Sequence, residues 1–227
     1  MTAIEPPLHA VLFDYDGTLV QLNIDFGSMR QEVEKLLVDY GIEPGSLKGS
    51  YVLEMIDEAT ERISTKSSPE GLSFHHKALE LVTKHEVRAA KDGRRLPGVP
   101  RMLKLLRERG IKVGVITRNC DKAVKMVFPD IEHLSDAYLP RDYVAHVKPH
   151  SDHLALALKE MGVRDPTLCL MVGDHLMDIE GGKRMGMKTA GVLTGKITRK
   201  GFIEAGADYV LEDVTAITGI LFDEGVS

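Results

Sequence analysis

Apolar residues recur along this chain with two different periods. The first run, His9-Ala10-Val11-Leu12-Phe13, is short and is broken at once by Asp14-Tyr15-Asp16-Gly17. A brief apolar run that ends in acid and glycine predicts a buried strand running into a tight turn. From residue 22 to 94 the pattern changes. Met29, Val33, Leu36, Leu37 and Tyr40 stand at helical spacing, as do Val52, Met55, Ile56, Ala59 and Ile63, and then Phe74, Ala78, Leu81, Val82 and His85. Such stripes predict helices with one buried face each, separated by polar breaks at Gly41–Gly49 and Thr65–Pro69, with no strand pattern among them.

Leu96-Pro97-Gly98-Val99-Pro100 marks a boundary, and beyond it the two periods alternate. Helices are predicted over Val99–Arg109, Lys122–Phe128, Ser151–Met161 and Leu176–Met185, with a short one around Ile203–Ala205. Strands are predicted over Ile111–Ile116, Asp136–Leu139, Leu168–Val172, Thr189–Leu193 and Tyr209–Leu211. Strands that alternate with helices indicate a parallel sheet covered on both faces. The fold class expected is α/β, a doubly wound parallel-sheet (Rossmann-like) core built from residues 1–21 and 95–227, with an all-helical insertion at 22–94.

Composition narrows the function classes. The chain has 227 residues, 43% hydrophobic, which is enough to bury a sizeable core. A formal net charge of -5 gives no general attraction for nucleic acid or for an anionic membrane surface, so any anion site must be local. The two cysteines, Cys120 and Cys169, have neither metal-ligand nor redox spacing and suit a reducing compartment. No apolar run approaches the ~20 residues of a membrane span. Met1–Leu8 carries Glu5 and two prolines in place of a basic and then apolar signal pattern. The expectation is a soluble, cytoplasmic protein that binds neither nucleic acid nor membrane.

In an open parallel sheet, ligands bind at the carboxyl ends of the strands, so the residues there carry the candidate chemistry. The first strand ends in Asp14 and Asp16, which read either as an acidic turn or as two carboxylates on the binding side. Ile111–Ile116 ends in Thr117-Arg118-Asn119. Asn119 is a good helix-capping residue, while a hydroxyl before a helix N-terminus is also a natural phosphate contact. Lys148 precedes the helix that begins near Ser151, and reads as a surface lysine or as a site cation. Leu168–Val172 ends in Gly173-Asp174-His175-Leu176-Met177-Asp178. With a helix starting between the two acids, Asp178 can turn back toward Asp174 or serve as a first-turn helix acid. Three carboxylates brought to one edge would repel without a cation, and oxygen-only ligands favour Mg2+. A metal, a lysine and helix N-terminal amides together form an anion site that fits a phosphoryl group.

Asp14-Tyr15-Asp16-Gly17-Thr18-Leu19, Thr117, Lys148 and Gly173-Asp174 with Asp178, in that order, resemble the four motifs of the haloacid dehalogenase superfamily. The likeness is greatest to its phosphoglycolate phosphatase-like branch and covers nearly the whole chain. After the first motif, Gln21-Leu22 stands where that branch often carries an acidic residue and then Ser or Thr. The resemblance implies a Mg2+-dependent phosphatase that hydrolyses a small phosphorylated metabolite through an aspartyl-phosphate intermediate. It implies Asp14 as nucleophile and Asp16 as the acid and base. Asp14, Asp174 and the Asp16 carbonyl would be metal ligands, with Asp178 a further ligand or anchor, and Thr117 and Lys148 would contact the phosphoryl oxygens. Residues 22–94 resemble the cap of that branch, joined by linkers near Val20–Ile24 and Arg94–Gly98.

Arg118 beside Thr117 could read a second anionic group, such as a substrate carboxylate, or pair with a neighbouring acid. Asn119 is a further candidate substrate contact. Arg30, His175 and Cys120 read more simply as a solvated helix arginine, a rim residue and an inert thiol. A dehalogenase would lack the second aspartate. A sugar phosphomutase shares the core. A receiver-like phosphorylation switch gathers similar residues but has no insertion after its first strand, and a degenerate phosphoprotein-binding module would not need the full residue set.

Overall fold

The computed structural model describes residues 8–49 and 51–222. Of the N-terminal stretch read above for a signal pattern, Met1–Pro7 lies outside the described residues. The chain divides into two units, the described parts of Met1–Leu22 with Gly93–Ser227, and Asn23–Asp92.

The first unit holds a six-stranded sheet. In chain order its strands are β1 (Ala10–Phe13), β4 (Lys112–Ile116), β5 (Ala137–Leu139), β6 (Cys169–Gly173), β7 (Lys188–Val192) and β8 (Tyr209–Leu211). They lie in the order β5-β4-β1-β6-β7-β8, and every pairing is parallel. β1 and β6 are buried along their whole length, as expected of strands with helices over both faces. Successive side chains of β1 take opposite faces. Ala10 and Leu12 join Leu154, Leu158 and Met161 around α6 (Ser151–Glu160) in one apolar cluster. Val11 and Phe13, equally buried, serve the other face. The α4 helix (Val99–Glu108) also packs on β4 and buries Val99, Met102, Leu103 and Leu106, the predicted stripe. The α7 helix (Leu176–Arg184) packs on β6 and β7. Two shorter helices, α5 (Asp121–Val127) and α8 (Arg199–Glu204), follow β4 and β7, and α9 (Ile217–Phe222), which periodicity did not reveal, follows β8.

The strand that ends near residue 95 was also not foreseen. Val20–Gln21 (β2) and Arg94–Arg95 (β3) form a two-residue antiparallel ladder that ties together the two chain segments flanking the insertion. Two residues are too few to display a period, so only pairing reveals such a strand.

The second unit contains α1 (Phe26–Asp39), α2 (Val52–Ser64) and α3 (Ser68–Ala90). Asp25 caps α1 by accepting the Ser28 N–H at 2.9 Å. The sequence break at Thr65–Pro69 is shorter than expected, because α3 starts at Ser68 with Pro69 in its first turn. A proline there forfeits no helical hydrogen bond. The stripes meet as intended: Met29, Val33 and Leu37, then Met55, Ile56, Ala59 and Ile63, then Phe74, Ala78 and Val82 are buried. Tyr40 packs its ring edge-on to Phe74 at 5.3 Å. Among the described residues, no helix is long and apolar enough to cross a membrane.

Candidate functional site

β1, β4 and β6 are neighbours, so parallel pairing brings their carboxyl ends to one edge of the sheet. β1 delivers Asp14 there; its N–H bonds the Val172 carbonyl at 2.9 Å, locking the acid against the end of β6. The chain then folds back on itself. Leu19 N–H donates to the Tyr15 carbonyl at 2.8 Å and Gly17 N–H to the Val20 carbonyl at 2.9 Å. Gly17 has φ +81°, and a Cβ on it would come within 2.3 Å of Asp174 Oδ2. Glycine is therefore required twice over, for the left-handed turn and for the approach of Asp174.

Lys148, buried to 2% exposure, donates to Asp14 Oδ1 and to Asp178 Oδ1, the latter at 2.8 Å. Thr18 Oγ1 donates to the other Asp14 oxygen at 3.4 Å. Asp178 Oδ2 accepts the His175 N–H at 3.2 Å, while His175 Nδ1 accepts from Met177 N–H. Together these form the capping box that begins α7. Asp178 thus serves as the helix-start acid and also turns back toward the pocket, where it takes a partner the sequence does not reveal, Lys148. Carboxylate oxygens of Asp14, Asp174 and Asp178 lie within 4.8 Å of one another. The Asp16 side chain is not in that group; its Oδ1 accepts the Leu22 N–H at 2.9 Å.

Burial works against charge at this edge. It pushes Asp174 up to about 8, and the neighbouring Asp14 and Asp178 charges add to the rise. Asp178 rises to about 6, again through burial, with Lys148 opposing. Asp16 rises to about 7 because it is buried, although the Leu22 N–H favours its charged form. Burial alone would depress the Lys148 ammonium, but Asp14 and Asp178 together outweigh it and hold its pKa above the ordinary value. One lysine does not neutralise three converging carboxylates. The remaining excess of negative charge, presented by oxygen donors alone, fits a hard divalent cation.

The Thr117 hydroxyl, at the end of β4, is buried and accepts the Asn119 N–H at 3.1 Å. Asn119 is not the cap of α5; Cys120 holds that position, and the Asp121 N–H is satisfied at 2.7 Å by Asp142 Oδ2 from the 3-10 turn Arg141–Tyr143. Arg118 has an engagement that was not foreseen. Its Nη1 donates to the Lys148 main-chain carbonyl at 2.5 Å, and its own carbonyl accepts from Arg141 Nη1 at 2.8 Å. The guanidinium, a candidate for a substrate carboxylate or for a neighbouring acid, is tied to the loop that carries Lys148. Arg30 pairs with Glu34 on α1 at 2.8 Å. Cys120 and Cys169 are buried and not joined in a disulfide.

Three supporting residues escaped the sequence reading. His153 Nδ1 accepts the Lys148 N–H at 3.1 Å and Nε2 bonds the Leu139 carbonyl at 2.9 Å; burial lowers its pKa to about 4, so it stays neutral and links the lysine loop to the end of β5. Thr194 donates to the Gly17 carbonyl. Gly195 leaves room for Asp174, since a Cβ there would lie 2.1 Å from Oδ2. A lone histidine on a helix face carries no signal of this role, and neither does a Thr-Gly pair after a strand.

The family model for haloacid dehalogenase-like hydrolases matches residues 11–192. A pyrophosphatase, PpaX, of Bacillus velezensis is 32% identical over 93% of this chain and 96% of its own length. The N-acetylmuramic acid 6-phosphate phosphatase of Pseudomonas aeruginosa is 28% identical over 94% of this chain and 95% of its own. Among solved structures, a phosphatase of the same family from Thermococcus onnurineus has a TM-score of 0.62 at 25% identity, covering 96% of this chain and 100% of its own. A hydrolase from Pseudomonas syringae reaches 0.63 at 22% identity, with coverages of 96% and 100%.

Proposed function

The chain belongs to the haloacid dehalogenase-like hydrolases, and from that premise we propose that it hydrolyses a small phosphomonoester through a phosphoryl group carried on Asp14. The observation that carries this reading is the meeting of Asp14, Asp174 and Asp178 around Lys148, with acids and lysine drawn from three separate segments of the chain. The related phosphatase and pyrophosphatase share the phosphoryl group but differ in what leaves it. The common core therefore accounts for phosphoryl transfer, and substrate choice is assigned to residues outside it. The helical insertion, residues 22–94, is the proposed source of that choice.

In the proposed reaction an Asp14 carboxylate oxygen attacks phosphorus, forming a P–O bond while the bond to the leaving alcohol oxygen breaks. Asp16, raised to about 7, is protonated often enough near neutrality to give its proton to that oxygen. It then takes a proton from the water that attacks the aspartyl phosphate, and inorganic phosphate departs with Asp14 restored. Lys148 holds Asp14 in place through its hydrogen bond to Oδ1, and with the Thr117 hydroxyl and the Asn119 segment it would bind phosphoryl oxygens as they gain charge. Asp14, Asp174 and the Asp16 carbonyl would hold Mg2+, with Asp178 beside them. Bound there, the ion would offset the repulsion between the carboxylate nucleophile and an anionic phosphoryl group. Arg118 and His153 would act by positioning Lys148. We also propose a cytoplasmic protein, since two cysteines outside any disulfide suit a reducing compartment.

Phosphate release from a panel of phosphorylated metabolites, with and without chelator, tests the proposal. Turnover should stop on chelation and return with Mg2+. Asp14→Asn should abolish it while leaving the circular dichroism unchanged. Wild-type rates from a folded Asp14→Asn protein would end the covalent mechanism.

A further inference from the structure

A second cluster of metal-ligating side chains spans the loop that carries Lys148 and the first turn of α6, and the phosphatase chemistry makes no use of it. His146, His150 and Asp152 are all exposed, and their ligand atoms lie within 4.8 Å of one another. His146 Nδ1 and His150 Nδ1 each stand 3.3 Å from the same oxygen, Asp152 Oδ2. The two imidazoles are stacked, with centroids 4.6 Å apart and planes 29° from parallel. In a tetrahedral site with metal–ligand bonds of about 2.0 Å, neighbouring ligand atoms are separated by about 3.3 Å. Both imidazole–carboxylate edges already have that length. His150 is placed by capping α6, and His146 is held against it by ring stacking and by Asp152, with all three side chains facing solvent.

We propose that His146, His150 and Asp152 form a second metal site, selective for a borderline transition cation such as Zn2+ and separate from the oxygen-only aspartate cluster. Two imidazole nitrogens and one carboxylate match the donor preference of Zn2+ and its neighbours, whereas Mg2+ prefers oxygen and water. Three protein ligands leave the fourth position to water. The His150 lone pair now accepts a long 3.3 Å hydrogen bond from the Asp152 N–H, and a cation would take its place. His146 and His150 stand two residues to either side of Lys148. A cation that joins them closes a clasp over the segment whose lysine reaches Asp14 and Asp178. The site therefore locks the lysine loop from the solvent side, as His153 and Arg118 hold it from within.

The test uses the full chain and Zn2+ alone as probe, titrated against a chromophoric chelator in a large excess of Mg2+ so that the aspartate cluster does not compete. Wild type should bind one equivalent. His146→Ala and Asp152→Asn should each weaken it at least about tenfold, the scale on which metal sites respond to lost support. Hydrogen exchange adds a second readout: Zn2+ should slow the amides of residues 146–150 in wild type and leave them unchanged in His146→Ala. Equal Zn2+ affinity in wild type and both variants would overturn the site, as would exchange protection that survives His146→Ala. Neither readout depends on turnover, so the result stands apart from the phosphatase assignment.

Discussion

Replacing Lys148 by methionine keeps most of the side-chain volume and removes the one charge held between Asp14 and Asp178. Both partners are buried, with Asp178 1% exposed. Removing one member of such a pair costs about 3–5 kcal/mol, because the acid is left charged in a poorly solvated place. Asp178 can escape by taking a proton, and the cost of that escape depends on pH. From an unfolded value of 3.8, holding the carboxyl protonated costs about 6 kcal/mol at pH 8 and about 2 kcal/mol at pH 5. At pH 8 the direct cost is the smaller and applies; at pH 5 protonation limits the loss to about 2 kcal/mol. The sign follows from the direction of the shift. An acid with a raised folded-state pKa leaves the fold most stable below its unfolded value and erodes it as pH rises toward the folded one. For a chain of this size each kcal/mol moves Tm by roughly 2–4 °C. In metal-free buffer Lys148→Met should therefore lower Tm by roughly 6–20 °C at pH 8 and by no more than about 4–8 °C at pH 5. Differential scanning fluorimetry of both proteins across pH 5–8 measures it. An equal loss at both ends of that range would refute the electrostatic argument and leave packing of the lysine stem as the cause.

Asp174→Ala should raise the Mg2+ concentration needed for half-maximal turnover more than Asp178→Ala does, since both Asp178 oxygens are already engaged by Lys148 and the His175 N–H. A magnesium titration giving the reverse order would invert the assignment of the two acids. Arg118→Ala should lower kcat/KM for phosphorylated acids and neutral phosphomonoesters alike, by about 1.5–3 kcal/mol, the range for a charged hydrogen bond. The reason is that the guanidinium grips the Lys148 carbonyl. A loss confined to phosphorylated acids would return Arg118 to the role of reading a substrate carboxylate.

Periodicity is a local property of the backbone, and what it carries could be read from the chain alone. The run His9–Phe13 is short and apolar because β1 is covered on both faces, and the stripe Val99, Met102, Leu103, Leu106 recurs at helical spacing because one side of α4 rests on the sheet. The alternation of such segments implies parallel pairing, and parallel pairing sends Asp14, Thr117 and Asp174 to one edge. Which atoms meet there is another matter. Lys148 lies 134 residues from Asp14, and no local pattern states that its ammonium sits between Asp14 and Asp178. That depends on strand order and on the path of the loop before α6. The same holds for Arg118, which sits beside Thr117 in the chain yet turns to the Lys148 carbonyl, for His153 and Gly195, whose roles exist only through partners far along the chain, and for the β2–β3 ladder, which is too short to show a period. Backbone geometry repeats every two or 3.6 residues and so leaves its mark on sequence. Contacts between distant side chains follow from register and packing, which arise only when the whole sheet is assembled.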